Sequence, residues 1–455
     1  MSNKSIVGAR VLSLLALASI GTTYSEPIQA APGDALSAPV PIIDVVPANS
    51  GARLPEVTID QGGQIVVGWE RGVNPGTLAL RRFTPDLTAA AGSSVVDPSS
   101  LEPDQDSPRS FVGVATNAIG QTVVAYITRS DEIVSQQALF VRRYRRDGGS
   151  LGDPQLVAVQ NLIQRPRLSN AIPRIRTGRT GGHPAVTINA AGDFVVAWTE
   201  SESSGVLVGP GALTAYRSRV MARRYFADGT PVGSAVRIAE RGPEPFLRSN
   251  QLEPDVRVVA MTDDRFAVVY SGGFGEGLFP FTLQFIDRDG QQQGLPIRLP
   301  INGDRALSVS DADFHAALTP NGELLLTWVA DSVASGFDRP EQVWIRRYSL
   351  TGRPLGSPAS VAVKRRAGRC CTVRAVPMAN GAVAVIWSDF SSGFQILGRY
   401  YAADLSPLTE PFLLVNGTTD ASAVADASGN LIVAYGTLDT MPQPRQLYLQ
   451  RFQGP

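Results

Sequence analysis

Cysteine, histidine and lysine are nearly absent from this 455-residue chain. The cysteines are the neighbours Cys370 and Cys371, and the histidines are His183 and His315. So few ligands and thiols exclude zinc-ribbon spacings and any disulfide framework. Lys4 and Lys364 are the lysines, so almost every cation is an arginine. The formal net charge is zero. A long-range field for polyanions is therefore missing, and no nucleic-acid partner is expected. Long apolar runs are missing as well. Past residue 30 nothing approaches the roughly 20 residues that cross a bilayer, so no membrane insertion is expected. No Walker loop and no HExxH string occurs, and nothing calls for a cofactor or a metal.

Glycine and proline, by contrast, are abundant at 44 and 33 residues. That suits many short strands joined by tight turns. At the N-terminus, Lys4 and Arg10 precede the apolar run Val11–Ile20. Its length of about ten residues falls in the range of a secretory h-region. Residues 1–30 are read as a signal peptide, cleaved after Ser25 or Ala30. The protein is then expected in the periplasm or outside the cell, where disulfides are permitted.

One pattern recurs along the rest of the chain: a turn residue, an apolar run, then an aromatic. It ends at Trp69, Tyr126, Trp198, Tyr270, Trp328, Trp387 and Tyr435. The turn residue six positions earlier is Gly63, Gly120, Gly192, Asp264, Gly322, Gly381 or Gly429. A second aromatic follows each first one, mostly behind arginine: Phe83, Tyr144, Tyr225, Phe285, Tyr348, Tyr400 and Phe452. An alternating run opens each unit and another closes most of them. Each unit thus reads as four strands, A to D, in a meander.

Seven such units predict an all-β fold, a seven-bladed β-propeller of four-stranded antiparallel blades. The blades fall at about 50–100, 105–160, 180–240, 250–301, 308–363, 370–416 and 418–453, within a propeller spanning 39–455. The seventh unit has strands A, B and C but no D. The run Val40–Val46 precedes the first unit and belongs to none. It is expected to supply the missing strand and close the ring, hiding an edge. With its G-x-[FIV]-V-V-x-[WY] and R-[RY]-[FY] strings, the chain resembles the repeats of secreted bacterial β-propeller proteins of poorly defined function. That resemblance covers nearly all of the chain beyond the leader and implies a fold, not an activity.

Length varies in the B–C loops, such as Thr199–Ser218, and in the D–A connections, such as Asn161–Gly182. Strands alternate in direction, so both kinds of connection emerge on one face, where a rigid scaffold presents binding residues. Three groups on that face are candidates. Cys370 and Cys371 would close a strained vicinal disulfide, since adjacent Cα atoms lie about 3.8 Å apart; the plain reading is an incidental pair. Arg365, Arg366 and Arg369 in one connection, and Arg174 and Arg176 in another, suit an anionic ligand through bidentate contacts. Their plain reading is a solvated loop. Asp311, Asp313 and His315 alternate along a strand and point one way, with His183 in a similar stretch. Their plain reading is the polar lining of a wet channel.

No catalytic residue is assigned. The expected function is a non-catalytic binding protein that holds a glycan, an envelope component or a protein on the face carrying the B–C and D–A loops. A monomer is expected. The alternatives are a carbohydrate-active or redox enzyme with its site at the channel mouth, and a purely structural propeller.

Overall fold

The repeat folds for local reasons. All seven turn residues have positive φ, from +61° at Asp264 to +95° at Gly192. This is the left-handed region, which glycine enters without a Cβ penalty. Each turn sets the register of the A–B hairpin, and the aromatic six residues on falls at the far end of strand B. In the computed structural model the described residues are 30–42, 52–71, 77–90, 95–96, 110–129, 135–162, 171–175, 184–206, 213–245, 255–271, 281–301, 314–331, 341–364, 372–390, 393–418, 420–437 and 446–455. By contact, Ala31–Pro455 forms one unit, separate from Met1–Ala30.

Seven antiparallel sheets result. Blade 5 is representative, with strands Phe314–Leu318, Leu324–Asp331, Glu341–Tyr348 and Ala359–Lys364 in that spatial order. Each innermost strand packs against the innermost strands of both neighbouring blades, and blade 7 meets blade 1, so the sheets form a ring. The core is divided in the same way. Seven apolar clusters sit one at each junction between adjacent blades. All seven first aromatics are buried in them. Both faces of a blade therefore bury side chains, which is why strand B is apolar at nearly every position.

The ring closes as expected. Val40–Pro41 pairs antiparallel with Leu447–Phe452, placing Val40 opposite Leu449. Ile42 continues the contact: its N–H donates to Leu447 O at 2.9 Å, and its side chain is fully buried at the junction of blades 7 and 1. Residues 43–46 of the expected strand lie outside the described residues.

Two expectations need correction. The second aromatic is misassigned by one residue in blades 4 and 6. The equivalent of Phe83, which faces Ile65, is Ile286 facing Phe266 and Tyr401 facing Val383. The C–D turn decides the register, because its positive-φ residue lies four places after the anchor, at Gly290 and Leu405. The second correction concerns Thr199–Ser218 and Asn161–Gly182, expected as loops. Phe194–Val206 and Leu213–Tyr225 are continuous 13-residue strands. Ala171–Ile175, within the D–A connection, pairs with the outer half of the first of them, as a fifth strand on that sheet. Blade 3 thus extends into a β-ribbon on the elaborated face.

The recurrent arginines have a structural use. Those two before the anchor, Arg81, Arg142, Arg223, Arg346 and Arg399, lie over their own anchor ring at 5.6–5.7 Å. In blades 2, 3, 6 and 7 the residue one before the anchor reaches the next blade. Arg143 donates to Ala227 O at 2.6 Å, and Arg224 to Asp264 O and Asp287 O at 2.9 and 2.8 Å. Arg451 donates to Pro85 O, back in blade 1. Tyr400 holds this position in blade 6, and its hydroxyl donates to Gln453 O at 2.8 Å. On the face opposite the long loops, these donors tie each of those four blades to the next.

Candidate functional site in the axial channel

The innermost strands surround a cavity of about 450 Å³ on the ring axis. Its chemistry is concentrated at one register position. Each blade contributes the residue opposite the one just before its first aromatic: Glu56, Gly113, Ala185, Arg257, His315, Arg374 and Ser422. All seven blades bring this position to the channel near the end where the D–A connections enter. The layer is lopsided. Blades 4, 5 and 6 supply Arg257, His315 and Arg374, whereas blades 2 and 3 supply Gly113 and Ala185. Gly113 is small for a packing reason: a Cβ there would meet Pro184 O at 2.4 Å. Two residues deeper the lining is Thr58, Ala115, Thr187, Ala317, Val376 and Val424, all uncharged.

Buried partners hold the charged groups in place. Arg257 donates to Asp255 Oδ1 at 2.9 Å and to Val256 O at 2.8 Å, and its guanidinium lies 5.2 Å from the Phe314 ring centre. Asp255 is itself fixed, since its N–H donates to Ser271 Oγ and its carbonyl accepts from Ser271 N. Burial pushes the Asp255 carboxyl above the ordinary carboxylate range, against the opposing pull of Arg257. Thr372 and Ser388 repeat the arrangement in blade 6, two residues before Arg374.

Arg374 reaches past blade 7. Its Nη2 donates to Glu56 Oε1 of blade 1 at 2.7 Å. Ser422, on the blade between, donates from Oγ to Glu56 Oε2 at 3.1 Å while accepting Val57 N–H at 3.3 Å. His315 accepts Ala375 N–H on Nδ1 at 3.4 Å. A neutral ring with Nδ1 as acceptor carries its proton on Nε2, and so is a donor there. Burial, then the charges of Arg374 and Arg257, hold the His315 pKa well below its ordinary 6.5. The unfolded chain therefore binds a proton that the folded ring refuses. Stability contributed by the neutral ring is full above about pH 6.5 and falls as pH drops toward the folded value. Denaturant midpoints measured from pH 7 to 5 should fall, and His315→Gln should flatten that slope.

Of the residues singled out from sequence, the channel layer contains His315. Cys370, Cys371, Arg365, Arg366, Arg369, Asp311, Asp313, His183 and Arg176 lie outside the described residues. Arg174 lies on the added strand Ala171–Ile175 of blade 3. Glu56, Arg257, Arg374 and Ser422 were missed. A signal for them existed, because each layer residue stands seven places before its turn residue, as Arg374 does before Gly381. A G-x-S-x-G string occurs at Gly148–Gly152. It forms the C–D turn of blade 2, with Ser150 bridged to Tyr144, and not the strand-to-helix elbow of a nucleophilic serine.

No protein-family profile matches the chain, and no curated relative does. Solved structures do resemble it. An α-L-arabinanase from Penicillium chrysogenum aligns at 11% identity and TM-score 0.43, over 93% of this chain and 98% of that one. The NanB sialidase of Streptococcus pneumoniae aligns at 11% and 0.44, over 91% and 70%. An α-L-arabinofuranosidase from Fusarium graminearum aligns at 8% and 0.40, over 76% and 93%. At such identities the likeness is one of fold, and each activity remains that protein's own. A non-catalytic binding protein is expected from the sequence, whereas the propellers just named are enzymes. The chain is a seven-bladed β-propeller with a polar axial channel.

Proposed function

We propose that the protein is a secreted enzyme acting on a carbohydrate-class substrate by acid–base chemistry in the axial channel. One observation carries the reading. A single layer sets one carboxylate, Glu56, against an arc of three N–H donors, Arg257, His315 and Arg374, on consecutive blades. Glu56 is the proton acceptor of the layer. The donors neutralise negative charge that develops on the substrate, and they are fixed before it arrives. Asp255, itself held by Ser271, fixes Arg257, and the Ala375 N–H fixes the His315 ring. The uncharged rows deeper in the channel leave the polar layer as the place where an oxygen-rich molecule finds partners.

The test is turnover by the protein without residues 1–30, against neutral and acidic oligosaccharides, with products followed by mass spectrometry. Cleavage of at least one substrate is expected. Glu56→Gln should slow it about 100-fold or more, the lower range for loss of a general base. Absence of turnover across the panel would remove the reading.

A further inference from the structure

We infer that the arc formed by Arg257, His315 and Arg374 is a carboxylate site, that Glu56 occupies part of it when no ligand is bound, and that an acidic sugar displaces Glu56. Only the choice of a sugar as carrier rests on the enzymatic reading above.

The geometry supplies the argument. Three consecutive blades place N–H donors at one register position, and no acidic side chain belongs to that position on those blades. Asp255 is the nearest carboxyl in sequence. It lies among buried groups beneath Arg257, does not line the cavity, and spends Oδ1 on Arg257 and Val256 N–H. Among the described residues, Arg374 makes its ion pair across to Glu56 of blade 1. Its Nε is buried and makes no hydrogen bond among the described residues. Among the described residues the guanidinium bonds through Nη2, and a planar fork of this kind holds a carboxylate through two N–H groups. The Glu56–Arg374 contact also shows directly that a carboxylate fits against this arginine, with the Ser422 hydroxyl as a further donor.

Glu56 is a tethered competitor in this arrangement. It stands on a different blade from both of its partners, Arg374 and Ser422. A ligand carboxylate entering between Arg257 and Arg374 faces both cations, and Glu56 is then released from its ion pair beside the ligand. The same exchange gives the proposed base its freedom only when an acidic molecule is present. Neutral sugars lack the group that drives the exchange.

Galacturonate and galactose are the matched probes, since they differ at one carbon. Isothermal titration of the protein should show galacturonate bound at least tenfold more tightly. Arg374→Gln should remove that preference. Glu56→Gln should tighten galacturonate about fivefold, the scale of a partly exposed ion pair removed from competition. Thermal melts of both variants show whether they are folded. Equal binding of the two sugars overturns the proposal, as does a Glu56→Gln variant whose affinity is unchanged or weaker. The two readings fail separately. Selective galacturonate binding without turnover of any oligosaccharide removes the enzyme and leaves the carboxylate site. Turnover of neutral oligosaccharides alone, with no galacturonate preference, does the reverse.

Discussion

Removing residues 31–42 should lower stability by about 5 kcal/mol or more and the melting temperature by roughly 10 °C. The segment is stitched to the last strand of blade 7 over its whole length. Gly33 N–H donates to Gln453 O at 2.8 Å, Leu36 N–H to Arg451 O at 2.9 Å, and Gln453 N–H to Asp34 O at 2.8 Å. Side chains add to the seam: Gln450 donates to Ser37 O at 2.9 Å, and Arg81 to Ile42 O at 2.7 Å. Deletion leaves these groups to water and opens a strand edge able to pair with another molecule. It also empties the Ile42 site, which is 0% exposed. Ile42→Ala alone should cost about 2–5 kcal/mol, because the junction of blades 7 and 1 cannot close around the gap. Differential scanning calorimetry and size-exclusion chromatography read both effects. A deletion variant that melts with the parent and stays monodisperse would sink the account.

Arg224→Met should cost about 3–5 kcal/mol, whereas Arg223→Met should cost about 1 kcal/mol. These neighbours differ in what they hold. Arg224 has a side chain 3% exposed, donates to Asp193 Oδ2 at 2.7 Å, and gives two further bonds to blade 4 carbonyls. Its guanidinium also lies 5.2 Å from the Phe266 ring centre. Methionine fills the space but leaves a carboxylate and two carbonyls without a cationic partner. Arg223 donates to Gly233 O at the exposed edge of its own blade, where water substitutes. Equal losses in urea denaturation would show that the belt of inter-blade donors contributes little to the ring.

The fold was legible because its determinants are short-range and repeated seven times. A positive-φ turn at Gly322 and a buried aromatic at Trp328 are six residues apart, and the same pair returns in every unit. Adjacent large residues blurred the finer register. In "RYY" either tyrosine suits a core, and only the turn at Leu405 shows that Tyr401 is the anchor while Tyr400 reaches the next blade. The ribbon of blade 3 was obscured by its Gly- and Ser-rich composition, which reads as loop. The channel layer was hidden by the opposite property. It holds Glu, Gly, Ala, Arg, His, Arg and Ser in turn, so a search for what repeats discards it. His315 was noticed for its rarity. Arg257 and Arg374 were lost among many arginines, most of which serve the scaffold.

The clasp between Val40 and Leu449 also sets a timetable. Leu449 is made 409 residues after Val40, a delay of roughly 20–80 s at ordinary rates of synthesis. During that interval six blades can stack in order, each on its predecessor. The array nevertheless remains an open arc with a bare flank at either end. Both flanks disappear in one late event of very high contact order, which is slow in its own right. Until then the channel has no seventh wall, and Glu56 and Arg374 stand on opposite sides of the gap. The arginine and its tethered carboxylate therefore come together only when the ring does.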